Sequence, residues 1–454
     1  MKPDPNDPAW AWALFQPDAE RPWDLPLAAH LYRRAAFGGT WPELQRALSE
    51  GPQATIDKLV HPTPEAADFD RLYDDYENAA AASDGYGSQA WWLRRMIESP
   101  QPLQEQVTLF WHNHFGISNV HVKSNASLCR HTHVLRQHGL SSFEELLGAI
   151  MAEPAVWTCL GAGANGKRGL SDSSVRILMD QYTLGPGRCS DLDVREGTRA
   201  LSGWIVSQGE LRFVPGEYDA TPKKILGQEG DFDRKALVGI LAKHPATGQW
   251  LAQQLVRWFI SDTAKPSESL LAPLAKQLTG GGNTAKGVEM LLRSNLFFSA
   301  EAYRQKVRSP VELALGIIRP LEGRVGTVRL AVDLAELGQE LYEPPTIRGW
   351  AGGLSWLNPL TMLGRARLAE ALLAESGAYE GRLDPAGVLN RHGQPAIDGI
   401  GQFLVQLYLQ GDLAPETLAA LHTGVSATGS ADTRSANPRQ LATRLASLPE
   451  FQLA

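Results

Sequence analysis

The sequence predicts an all-α fold: a large multi-helix domain with long ordered loops and few or no strands. Three observations carry that expectation. Apolar residues recur at helical spacing over 190–206, 234–242, 246–260, 283–294, 359–374, 396–410 and 437–448. Helix-start signals stand ahead of several apolar runs. Alternating apolar and polar stretches longer than about four residues, the mark of a half-buried strand, are scarce.

Each start signal has a physical basis. The first N–H groups of a helix lack intrahelical acceptors, and a Ser/Thr-x-x-Glu box supplies them. Thr40-Trp41-Pro42-Glu43 precedes Leu44 and Leu48, and Ser142-Phe143-Glu144-Glu145 precedes Leu146, Leu147 and Ile150. Ser309-Pro310-Val311-Glu312 adds proline at the first helical position, where its missing N–H costs nothing. Along the chain, 1–24 reads as a Pro- and Asp-rich arm held to the surface by Trp10, Trp12 and Trp23, and 25–423 as the helical domain, with a division into two lobes near 208–233. Residues 424–437 read as a flexible connector and 438–454 as a C-terminal helix. Segments 208–233 and 339–358 read as long ordered loops, which inside a compact domain are more often functional than ornamental.

Composition narrows the function. With 454 residues, 43% of them hydrophobic, and 13 Trp, 13 Phe and 10 Tyr, the chain can fill a sizeable core, so global disorder is excluded. Lys and Arg total 43 against 50 Asp and Glu, a net charge of -7 with no basic run, which argues against nucleic acid as a partner. Cys129, Cys159 and Cys189 lie far apart and suggest neither a disulfide framework nor a thiolate zinc site. No apolar run is long enough for membrane insertion. The opening Met1-Lys2-Pro3-Asp4-Pro5 carries prolines and an acid where a secretion signal would be apolar, so as written the chain reads as cytoplasmic.

The densest chemistry lies in Phe110-Trp111-His112-Asn113-His114-Phe115. Six of the 11 histidines fall within the 27 positions from His112 to His138, a crowding that suits a divalent metal or a general base. On a regular helix His112 and His114 lie about 200° apart and cannot share a metal unless the chain leaves the helix near Gly116. Against the metal reading stands the plainer one, in which the aromatics are core and the histidines bond to backbone. Gly161-Ala162-Gly163-Ala164-Asn165-Gly166-Lys167 fits a phosphate-loop pattern, but Arg168 stands where a magnesium-binding Ser or Thr belongs; the segment reads as a turn, not a nucleotide site. Asp172, Asp180, Asp191, Asp193 and Glu196 with Arg176 and Arg195 read as ion pairs, Asp172–Arg176 and Arg176–Asp180 at i,i+4. Asp219 beside Lys223 and Lys224, and Trp350 beside Trp356 on a Pro/Gly scaffold, are the most chemically loaded loop segments.

Several segments together resemble a known family. Leu27-Ala-Ala-His-Leu-Tyr-Arg-Arg-Ala-Ala-Phe-Gly, Thr108-Leu-Phe-Trp-His-Asn-His-Phe, Tyr182-Thr-Leu-Gly, Arg199-Ala-Leu-Ser-Gly-Trp, Lys224-Ile-Leu-Gly-Gln, Pro344-Pro-x-x-x-Gly-Trp and Leu448-Pro-Glu-Phe-Gln are similar, in that order, to the bacterial domain-of-unknown-function 1800 family from about Leu25 onward. The resemblance implies an uncharacterised bacterial protein whose relatives are often exported and often encoded beside a sulfatase-like protein, an implied partner. It also exposes departures: Ile177 stands where relatives have a carboxylate, Ser171 and Ser173 where they have amides, Tyr218-Asp219 for His-Asp, and His131-Thr132 for Gln-Asn.

Two functions follow as expectations. One is a metal-assisted or acid–base hydrolase or modifying enzyme acting on a polymer or peptide. In it His112 and His114 are metal ligands or base, Asp180 and Asp219 acidic or orienting groups, Arg176 and Lys223 anion holders, and Trp350 a substrate wall. The alternative is a non-catalytic scaffold, a degenerate paralogue that binds an active relative or the sulfatase-like protein.

Overall fold

The structure, a computed structural model, describes residues 4–61, 64–162, 169–279, 281–392, 399–418, 421 and 437–454. The phosphate-loop pattern from Gly163 onward and nearly all of the 424–437 connector lie outside those residues. The fold is mostly all-α, with four short strands among the described residues. Helices Arg234–Lys243, Pro245–Phe259, Thr284–Arg293, Pro359–Leu373, Gly399–Leu409 and Pro438–Ser447 answer to the periodic segments of the sequence. The boxes at Thr40, Ser142 and Ser309 all form, each with the hydroxyl accepting from the third helical N–H and the glutamate returning the bond.

Two expectations change. The periodic segment 190–206 is helical only over Asp191–Ala200; Gly203 takes a φ of 77°, which a right-handed helix cannot accommodate, and Trp204 opens a strand. Segment 208–233 is not a loop but contributes to two antiparallel hairpins. Strand β1 (Trp204–Ser207) pairs with β2 (Glu210–Phe213), and β3 (Lys223–Ile225) with β4 (Gln228–Gly230). Gln208-Gly209 and Leu226-Gly227 both carry positive φ at each residue, the geometry of a two-residue turn that follows the strand twist. Glutamine and leucine are uncommon first residues for that turn, which hid the hairpins from the sequence. In the N-terminal segment the Trp12 indole donates to the Leu270 carbonyl at 2.7 Å and that of Trp23 to the Ala47 carbonyl at 2.8 Å.

Helix Pro102–Phe115 organises the interior. Val107, Phe110, Trp111 and Phe115 belong to one apolar core, and Leu109 to a second, built around Trp92, Leu313, Leu372 and Tyr408. Only Gln104 and Asn113 of its 14 residues escape full burial, so every polar group on it needs an internal partner. Glu105, in the first turn, accepts from Trp92 at 3.0 Å, Arg95 at 2.8 Å and Arg136 at 2.8 Å. Burial raises its pKa, but the Arg136 and Arg95 guanidiniums outweigh that and bring it down to about 2. The last turn closes on Gly116, whose φ of 56° is left-handed and whose missing Cβ would lie 2.2 Å from the Ile347 carbonyl oxygen.

Gly116→Ala should therefore meet both backbone strain and a clash with backbone that cannot swing aside, a loss of about 2–4 kcal/mol in urea unfolding. Gly187, with φ of 74° and nothing within 4 Å of its Cβ position, isolates the strain. G187A should lose only about 1 kcal/mol; equal losses in the two variants would remove the steric argument.

Candidate functional site

The end of the Pro102–Phe115 helix is bolted to the 339–358 segment residue by residue. The Tyr342 N–H donates to His112 Nε2 at 3.1 Å, and the Trp350 N–H donates to Asn113 Oδ1 at 2.7 Å. Gly349 takes a φ of 73°, and a Cβ there would fall 2.2 Å from the Asn113 carbonyl oxygen. Only glycine allows the Pro344-Pro-x-x-x-Gly349-Trp350 segment to approach so closely. Trp350 is thereby held with its ring 5.7 Å from that of His112.

His114 faces away from His112, as helical spacing requires, and its Nε2 lies 3.0 Å from the Tyr182 carbonyl. A carbonyl only accepts, so Nε2 of His114 carries the proton; an amide only donates, so Nε2 of His112 is bare and its proton sits on Nδ1. Burial, with His131 adding to it, lowers the His112 pKa to about 3; burial lowers that of His114 to about 4. Both are neutral structural donors and acceptors, and they do not converge on one point.

The other sequence candidates divide into separate places. Asp180 accepts from Cys189 Sγ at 3.3 Å and lies 3.9 Å from Arg176, which also pairs with exposed Asp191. Asp172 accepts from Thr198 at 2.7 Å rather than pairing with Arg176. Asp219 is held well below the usual carboxylate range by its bond from Arg199 Nε at 2.8 Å, beside the hairpins. Lys223 bonds to backbone and not to that carboxylate: its buried ammonium donates to the carbonyls of Asp219 at 2.7 Å and Thr221 at 3.0 Å. Among the described residues one trio, Asp57, His61 and Glu289, gathers its ligand atoms within 4.8 Å, but Arg293 pairs with both carboxylates and already supplies the cation.

Of all the candidates, Trp350 alone lines a cleft of about 450 Å³ bordered by Trp250, Trp258, Trp350 and Trp356. Its floor carries Asp262, Lys306 and Glu312. Asp262 follows the Pro245–Phe259 helix; its Oδ2 accepts from the Val307 N–H at 2.7 Å. Desolvation raises its pKa, outweighing the pull of Lys306. Glu312 is the reverse case. Burial pushes it up, yet the Lys306 ammonium on Oε1 and the Ser309 N–H on Oε2, at 2.8 Å, bring it below the ordinary value. Lys306 lies between Glu312 and the Trp258 ring, 4.5 Å from its centroid. The C-terminal segment sets that floor: the Arg308 N–H donates to the Gln452 carbonyl and the Ala454 N–H to that of Lys306, both at 2.8 Å.

The family model for a protein of unknown function, DUF1800, matches residues 30–453, nearly the whole chain. The chain belongs to the DUF1800 family. No curated protein and no solved structure matches it. Distant stretches of the matched region meet at the cleft: Asn113, Gln181, Thr346, Arg348, Gly349 and Trp350 line it, and the C-terminal Gln452 and Ala454 bond to the backbone of Arg308 and Lys306. Sequence reading saw Glu312 only as a helix box and passed over Asp262, Lys306 and Arg257, which no local pattern marks.

The neutral histidines give a pH prediction. Their folded pKa values lie below the ordinary 6.5, so below pH 6.5 the unfolded chain binds protons that the folded chain refuses, and stability present above 6.5 is lost toward pH 4 and 3. Glu105 adds a further loss as pH falls from 4.5 toward about 2. Unfolding free energy should fall below pH 6.5 by up to about 1.4 kcal/mol per pH unit for each such histidine. His114→Gln, whose amide can still donate to Tyr182, should flatten the slope; an unchanged slope would refute the assignment.

Proposed function

We propose that the chain is an enzyme of acid–base type that works on an extended, ring-bearing polymer, a polysaccharide, in the tryptophan-walled cleft. The observation that carries this reading is Asp262. It is a partly buried carboxylate raised by desolvation, with Oδ2 committed to Val307 and Oδ1 left to exchange a proton. Four indoles border this cleft, and aromatic side chains of that kind are the surfaces on which sugar rings stack while their hydroxyls reach outward. In hydrolysis Asp262 takes a proton from water as the water attacks, and returns it to the departing oxygen, so its proton balance closes in one turnover. Glu312 has both oxygens engaged, and its part is to hold Lys306 in place.

A second reading, the non-catalytic scaffold, draws on a different feature: Leu354, Leu360 and Leu363 stand exposed beside the cleft, at 72%, 79% and 50%. The two readings separate on Asp262. On the enzymatic reading, Asp262→Asn lowers kcat on a cleavable polysaccharide by about 10²–10⁴ at unchanged melting temperature, and Trp356→Ala raises KM. Release of new chain ends across a panel of defined polysaccharides, read by mass spectrometry, is the measurement. Turnover equal in D262N and wild type would reject the catalytic role, as would no turnover on any member.

A further inference from the structure

The hydrogen-bonding capacity of the cleft is lopsided. Many of its side-chain acceptors are spent inside the protein: Asn113 Oδ1 on the Trp350 N–H, Gln339 Oε1 on the Val311 N–H at 2.9 Å, both Glu312 oxygens on Lys306 and Ser309, and Asp262 Oδ2 on Val307, which leaves Asp262 Oδ1 as the open carboxylate oxygen. Its donors are not. The guanidiniums of Arg257, on the Pro245–Phe259 helix, and Arg348, on the 339–358 segment, are exposed at the cleft without an acceptor among the described residues. Within the walls, the indole N–H groups of Trp258 and Trp350 and the Gln254 amide nitrogen also lack acceptors.

A neutral sugar hydroxyl both donates and accepts, and would leave the two guanidiniums without the charged partner they suit best. An oxyanion accepts only, and each guanidinium offers it two parallel N–H bonds. From these features we infer that the ligand of the cleft carries oxyanion groups along its chain, carboxylate or sulfate ester, gripped by Arg257 and Arg348 from the two elements that wall the site. The inference rests on the polysaccharide reading for the ring-bearing chain, but the anion requirement comes from the donors alone.

The test is binding to the full chain by titration calorimetry, with four probes of matched length: an oligogalacturonate, a sulfated oligogalactan, a neutral oligogalactan and inorganic polyphosphate. An anionic saccharide should bind at least tenfold more tightly than the neutral one, with affinity falling as salt rises. The tighter of the two anionic saccharides identifies the oxyanion. R257Q/R348Q should erase that preference at unchanged melting temperature. Neutral oligogalactan binding as tightly as both anionic forms, or a preference that survives the double substitution, overturns the inference and leaves the polysaccharide reading standing. Polyphosphate binding as tightly as the anionic saccharides supports the anion site and removes the sugar. No binding by any probe overturns both.

Discussion

The junction between the end of the Pro102–Phe115 helix and the 339–358 segment is the constraint on which the site depends. Two backbone N–H groups, those of Tyr342 and Trp350, find their acceptors on His112 and Asn113, and two glycines remove the carbon atoms that would keep the segments apart. A segment rich in Pro and Gly has little structure of its own, and its conformational freedom is costly to remove. Bonded to a helix buried between two cores, it becomes a rigid wall. Trp350 and Trp356 owe their places to that wall.

Electrostatics then divides the molecule into two kinds of buried polar group. Along the helix several groups are committed: Glu105 to two arginines and an indole, His114 to a carbonyl, and His112 to an amide on the nitrogen that carries no proton, while His112 Nδ1 and the Gln106 amide have no partner among the described residues. The committed groups stabilise one conformation and offer nothing to a ligand. At the cleft the accounting is uneven, with one carboxylate raised, its neighbour held ionised, and donors in excess of acceptors. The proposed chemistry is placed in that second environment because a proton or a ligand changes hands only where a group is not already committed.

The site was legible in the sequence only in part. The segments that resemble the family are visible there, and Trp350 stands in a loop that the sequence marks by its aromatics, prolines and glycines. His112 and His114 drew attention because histidine is rare and here crowded, yet burial makes them inert. Asp262 lies just past a helix end, and Lys306 in an irregular stretch, neither in any recognisable pattern. They become a site because the C-terminal segment pairs with the backbone around Lys306 and the Val307 amide reaches Asp262, contacts that join residues 45 or more positions apart.

By itself the sequence determined what depends on neighbours within a turn or two: helix periodicity, the three capping boxes, and the opposition of His112 and His114 around a helix. Family membership was written there as well, in the order of the signature segments. The hairpins at 204–230 lay beyond it, since Gln-Gly and Leu-Gly turns acquire their meaning only from the strands that pair across them. Tertiary structure alone decided which polar groups would be desolvated and which would keep free bonding capacity. A pKa or an unpaired donor reflects everything packed around the group, and for this cleft those surroundings come from five distant stretches of the chain.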